Sequence, residues 1–90
     1  MNTNYITYVM EIMNEAMIIN SMIKDRECDP VIFVEYSGHT SGLRVDIFAL
    51  GWKSGRDSTR SFLVYLDYLC DVDTLKEIIS VLCAIRMNRS

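Results

Sequence analysis

The feature that most constrains the fold is a change of hydrophobic period along the chain. In residues 4–24 apolar side chains recur every three or four positions, which places them on one face of a helix. Residues 31–67 are instead rich in β-branched and aromatic side chains and alternate over much of their length, as strands do. The helical period returns after residue 71. The chain therefore predicts helix, strand, strand, strand and helix, in that order.

The first helix is predicted to run from Asn4 to Lys24, with Thr3 or Asn4 as its N-cap. Its main apolar stripe is Tyr5, Val9, Ile12, Ala16, Ile19 and Ile23. Beside this stripe lies a second row, which we call the Met row: Ile6, Met10, Met13 and Met17. Two rows cover more surface than one core contact needs. The Met row is either part of the core or, if exposed, a surface suited to a partner helix or a second copy.

Three strands are predicted between the helices. Pro30 cannot continue a helix, and the strand Val31–Tyr36 follows it. A glycine-containing loop then leads to a second strand from Leu43 to about Trp52. After a polar loop, Lys53–Arg60, the third strand places Phe62, Val64 and Leu66 on one side and Leu63, Tyr65 and Asp67 on the other.

The start of the last helix is left open by its sequence. Asp71 or Asp73 fits an N-cap, and Thr74 with Glu77 fits a capping box. The buried stripe is predicted to be Leu75, Ile78, Ile79, Leu82 and Ile85.

Short connections between consecutive strands favour an antiparallel meander. Each helix needs an apolar surface to cover, and Leu43, Val45 and Ile47 supply one. We therefore predict a single α+β domain over residues 1–90, with two layers and both helices on one face of a three-stranded sheet. Two helices cannot cover both faces, so the sequence also favours self-association, with a homodimer as its simplest form.

Composition narrows the function classes. Half of the residues are apolar, which excludes a disordered chain. The net charge of −3 argues against direct nucleic-acid binding and is compatible with a basic protein partner. The N-terminal residues lack a basic region, and the apolar stretch behind them is interrupted by polar residues, so neither a signal peptide nor a membrane span is expected. Three widely spaced cysteines fit a reducing compartment, and we expect a cytoplasmic protein.

No residue pattern predicts a catalytic, cofactor or metal site. His39 is the only histidine and lies among ordinary turn residues. The glycine spacings match neither a phosphate-binding loop nor a dinucleotide fingerprint. The carboxylates lack the spacing of a calcium-binding loop. We therefore expect no enzyme activity and no cofactor.

Two groups of residues are candidates for binding a protein partner. The acidic group is Asp67, Asp71, Asp73 and Glu77. These carboxylates either cap and solvate the last helix or imitate nucleic-acid phosphates for a basic groove. The apolar group, which contains the aromatic types that most often anchor interfaces, is Phe48, Leu50, Trp52 and Tyr65.

The segments 35–39, 43–47, 51–52 and 62–67 resemble small proteins of phages and prophages of Gram-positive bacteria. The predicted α-β-β-β-α order is also similar to that of some compact acidic anti-CRISPR proteins, which bind a Cas nuclease and block its DNA-binding surface. The resemblance implies an inhibitory binding protein that acts in the bacterial cytoplasm on a Cas nuclease. The alternatives are a homodimeric accessory module and a protein that sequesters a small ligand.

Overall fold

The structure is a computed structural model that describes residues 4–66 and 70–89. It contains five elements in the predicted order: α1 (Asn4–Ser21), β1 (Val31–Ser37), β2 (Gly42–Phe48), β3 (Arg60–Tyr65) and α2 (Val72–Arg89). The predicted helix–strand–strand–strand–helix architecture is confirmed.

The three strands form one antiparallel sheet in the order β1-β2-β3. Val45 of the central strand lies opposite Val34 on one side and Phe62 on the other. The meander follows from the short connections, because hairpins pair strands that are neighbours in sequence.

The core lies between the two helices and one face of the sheet, which we call the inner face. Leu43, Val45 and Ile47 are each at most 2% exposed and belong to the central cluster, so the predicted packing face is confirmed. The helices contribute buried side chains to the same cluster: Ile12, Ala16, Ile19, Leu75, Ile78 and Leu82. This apolar contact is what holds the two layers together.

The two helices pack side by side and run in the same direction. Lys76 of α2 lies over the ring of Tyr8, and farther along both helices Arg86 Nε donates to Glu15 Oε2 at 2.5 Å. Glu15 is only 8% exposed. The hydrogen bond from Arg86 to this carboxylate raises the pKa of Arg86, so the buried acid has a stable cationic partner.

The first helix is shorter than predicted, ending at Ser21 instead of Lys24. The Asp29 carboxylate accepts the backbone N–H groups of Lys24 (2.8 Å) and Asp25 (3.1 Å), which draws the chain into the following loop. A side chain five residues ahead thus competes with the helix for these donors.

The second strand is also shorter than predicted, ending at Phe48 instead of Trp52. Gly51 has φ of 96°, and a Cβ at this position would clash with the backbone carbonyl group of Glu27. Arg56 stabilises this close backbone contact, because its guanidinium donates hydrogen bonds to the carbonyls of Glu27 (3.1 Å) and Leu50 (2.8 Å). The strand stops because its continuation packs against the α1–β1 loop.

Asp71, one of the predicted alternatives, is the N-cap of α2. Its Oδ1 accepts the N–H of Thr74 at 3.3 Å, and its Oδ2 accepts the Thr74 hydroxyl at 2.7 Å. The hydroxyl hydrogen bond lowers the pKa of Asp71. The helix begins at Val72, so Asp73 and Thr74 lie within its first turn.

Within residues 4–66 and 70–89, neither helix has the length and apolar character needed to cross a membrane.

Candidate protein-binding surfaces

The face of the sheet opposite the helices, which we call the outer face, is exposed to solvent. Strand alternation places Phe33, Leu63 and Tyr65 there, and these side chains are 42%, 58% and 52% exposed. Both helices pack on the inner face, so this outer surface is open to a partner.

An aromatic cluster forms one end of the outer face. The ring of Phe33 lies 5.1 Å from that of Phe48 and 6.3 Å from that of Trp52, in tilted arrangements that favour aromatic contact. Phe48 is only 8% exposed, whereas Leu50 beyond it is 74% exposed. Of the predicted apolar group, Phe48 and Trp52 therefore form one cluster, and Leu50 protrudes from the turn that follows β2.

The centre of the outer face is polar and internally paired. Arg44 Nε lies 3.1 Å from Asp46 Oδ2, and the Ser61 hydroxyl donates to Asp46 Oδ1 at 2.5 Å. Glu35 lies directly opposite Arg44 in the β1–β2 register. These residues present both signs of charge, which would favour one orientation of a partner over others.

Leu63 and Tyr65 form the other end of the outer face. Tyr65 lies opposite Gly42 in the register, and Gly42 is six residues from Phe48 along β2. At about 3.3 Å per residue the two ends are roughly 20 Å apart. Tyr65 and the aromatic cluster thus share one face without touching.

The predicted acidic group belongs to a different part of the molecule. Asp71 and Asp73 lie at the start of α2, in the helix layer, and Asp71 is engaged in capping. Glu77 Oε1 accepts from Arg60 Nη2 at 2.5 Å. Asp67 lies outside the described residues. The structure therefore does not bring the described acids together with the aromatic residues on a single surface.

A second exposed surface, which we call the edge groove, runs between the Met row and the edge of β1 that pairs with no described strand. Met10, Met13 and Met17 are 66%, 41% and 67% exposed, so the Met row is a surface feature and not core. The groove is lined at one end by Met13, Met17, Ile32 and Val34, and at the other by Ile6, Met10 and Tyr36.

Asn20 closes one position of this edge, a role that the sequence did not reveal. Its side-chain Oδ1 accepts the Ile32 N–H at 2.9 Å, and its Nδ2 donates to the Ile32 carbonyl at 2.9 Å. The amide thus pairs with Ile32 as a neighbouring strand would. The one signal for this contact in the sequence is an asparagine near the end of the predicted helix, twelve residues before Ile32, the first inward-facing residue of β1.

Candidate chemical groups are few in the part of the chain that the structure describes. It contains no group of three or more His, Cys, Asp or Glu side chains placed to hold a metal ion. His39 is exposed in the β1–β2 turn. Hydrogen bonding to Asp25 and its negative charge raise the pKa of the exposed Cys28, which disfavours the reactive thiolate.

No protein-family model, curated protein or solved structure matches this chain.

Proposed function

We propose that this protein is a non-catalytic inhibitor that acts by binding another protein through the outer face of its sheet. The observation that carries the proposal is the outer face itself, with apolar anchors at both ends and paired charges between them. Interfaces typically combine a few aromatic or apolar anchors with satisfied polar groups.

The specific form that we propose is anti-CRISPR inhibition of a Cas nuclease in the bacterial cytoplasm. Its support is the α-β-β-β-α order, which is similar to that of some compact acidic anti-CRISPR proteins, together with the small size and the net charge of −3 of this chain. A basic nucleic-acid groove would attract such a chain at long range.

The placement of the acids favours occlusion over phosphate mimicry. Asp71 is engaged in capping and Glu77 in an ion pair, and both lie in the helix layer. Their charge would speed the encounter with a basic partner, while the apolar ends of the outer face would make the stable contact.

The test is DNA cleavage by a panel of guide-loaded Cas nucleases, with this protein added from substoichiometric to excess amounts. We expect inhibition that saturates near one copy per nuclease. Leu63→Glu, which puts a charge among the outer-face anchors, is expected to raise the concentration needed for half inhibition by about tenfold or more.

Met87→Glu is the matched control, because Met87 is 64% exposed on α2, away from the outer face. It should inhibit as the unaltered chain does. Unchanged cleavage across the panel would refute the specific form, and equal losses in both variants would refute the outer face as the contact surface.

A further inference from the structure

We propose that the edge groove binds a second copy of this chain, with the two β1 strands pairing antiparallel across a two-fold axis to form one six-stranded sheet. The pairing uses the edge of the sheet and the Met row, and it does not depend on the outer-face function proposed above.

The backbone groups of β1, which is an edge strand of the described sheet, point alternately toward β2 and away from it. Asn20 binds the N–H and C=O of Ile32 from outside, and the Ile47 carbonyl opposite accepts from Thr59 on the far side of β2. Ile32 therefore faces away from β2. Because an antiparallel edge strand alternates, Val34 and Tyr36 also direct their N–H and C=O groups outward.

Asn20 then fixes the register. With Ile32 engaged, Val34 and Tyr36 are the residues of β1 whose outward backbone groups remain for a new strand, as far as residues 4–66 and 70–89 show. A two-fold axis beside Glu35 pairs Val34 of each copy with Tyr36 of the other and forms four backbone hydrogen bonds. A two-fold axis beside Val34 would instead require the backbone N–H and C=O groups of Ile32, which already form hydrogen bonds with the Asn20 side chain.

The Met row indicates that the partner in the edge groove is a second copy of this chain. An extended segment of another protein would pair with β1 but would lie in the sheet layer, whereas Met10, Met13 and Met17 stand on α1 in the layer above. A second copy supplies a strand at sheet level and its own α1 at helix level. The two Met rows would then face each other across the axis, and methionine adapts well to such contacts.

The surface area is consistent with a covered interface. The accessible surface is 5945 Å², against roughly 5,400 Å² expected for a folded monomer of this mass. Stable interfaces bury about 800 Å² on each partner. The edge groove offers five apolar side chains that are each 41–67% exposed, beside a strand edge: Ile6, Met10, Met13, Met17 and Tyr36.

The register has one electrostatic cost, which provides a specific test. It places Glu35 of one copy opposite Glu35 of the other on the outer face, and like charges in directly opposed positions destabilise a strand pair. Arg44 lies beside each Glu35 and offsets part of this repulsion. Removing the charge should therefore tighten the dimer.

The pairing would also join two outer faces into one continuous surface. This consequence alone rests on the proposed function, because it would let a dimer present two sets of anchors to a target.

The experiment is sedimentation equilibrium of the full chain from low to high micromolar concentration. We expect a monomer–dimer equilibrium that weakens at least about tenfold in a Met13→Lys, Met17→Lys double variant, since facing lysines would repel and lose their apolar contact. Met87→Lys, at a comparably exposed position on α2, should leave the equilibrium unchanged. Glu35→Gln should strengthen dimerisation by up to about fivefold.

A strictly monomeric chain at high micromolar concentration would overturn the proposal and leave the edge to another protein. A dimer that is insensitive to the Met row, or weakened by Glu35→Gln, would overturn it as well. Dimerisation without nuclease inhibition would remove only the proposed function, and inhibition by a strict monomer would remove only this inference.

Discussion

The two edges of the sheet are protected in different ways. At the β3 edge, Arg60 pairs with Glu77 of α2, and its guanidinium lies 4.7 Å from the centre of the Phe62 ring. At the β1 edge, α1 supplies one amide, Asn20, and a row of exposed methionines. Each edge lies beside a helix, but α2 provides charge and α1 provides apolar surface.

This difference indicates which edge of the sheet is suited to bind a partner. Charged side chains at an edge discourage another strand from pairing with it. A free edge beside an apolar row has the opposite effect, because a partner gains backbone hydrogen bonds and apolar burial together. The charged residues of the α2–β3 side thus discourage pairing with another strand, whereas the α1–β1 side favours it.

The largest expected effect tests whether the Met row is dispensable for folding. Leu82→Ala on α2 should cost about 2–5 kcal/mol of unfolding free energy, because Leu82 is fully buried and truncation leaves a cavity. Met17→Ala, at a position 67% exposed, should change it by less than about 0.5 kcal/mol. Urea unfolding at low protein concentration measures both. Similar losses would mean that the Met row is core and that the contrast between the two sides is false.

A smaller loss of unfolding free energy is expected when the hydrogen bonds between Asn20 and the β1 edge are removed. Asn20→Ala removes two hydrogen bonds to Ile32 and should cost about 1–3 kcal/mol. Hydrogen exchange at the Ile32 amide should accelerate more than the global stability loss explains. Asn14→Ala, at an exposed position on the same helix, is the control. An unchanged exchange rate at Ile32 would show that the amide does not close the edge.

Acid should weaken the N-terminal cap of α2. The folded-state pKa of Asp71 is lowered, so its stabilising effect is present above the unfolded-state pKa and is lost as pH falls through the folded-state value. Asp71→Asn keeps a capping side chain but cannot titrate, so its unfolding free energy should fall less over this acidic range. Denaturant titrations at stepped pH compare the two chains. Parallel pH profiles would contradict the capping role.

The smallest effect is expected at the β3 edge. Arg60→Ala breaks an ion pair whose side chains are 47% and 52% exposed, and such surface pairs contribute about 0.2–1 kcal/mol. The loss should shrink further in high salt. Thermal unfolding at two salt concentrations is sufficient to detect it. If the variant begins to self-associate, this pair is what protects the β3 edge.

Much of the fold could be predicted because it depends on local periodicity. Alternation at Leu43, Val45 and Ile47 identified the inner face, since neighbouring strand residues point to opposite sides. The early end of β2 could not be predicted, because Gly51 meets the backbone of Glu27, which is distant in sequence. Pairing of Asn20 with Ile32 is likewise a contact between elements.

The candidate site was harder to predict than the fold. Tyr65 and Asp71 are close in sequence, yet one lies on the outer face and the other in the helix layer, because the chain changes layers between β3 and α2. The Met row was visible from its spacing, but its exposure depends on how α1 is rotated about its axis.

The parallel packing of α1 and α2 has a consequence for how the chain folds. The ion pair between Glu15 and Arg86 joins residues separated by 71 positions, and the apolar contact beside it has a similar span. The entropy of closing so long a loop is lost before the contact is gained. We therefore expect slow folding for a chain of this length, with the part of the α1 stripe that faces α2 unburied until α2 has been synthesised.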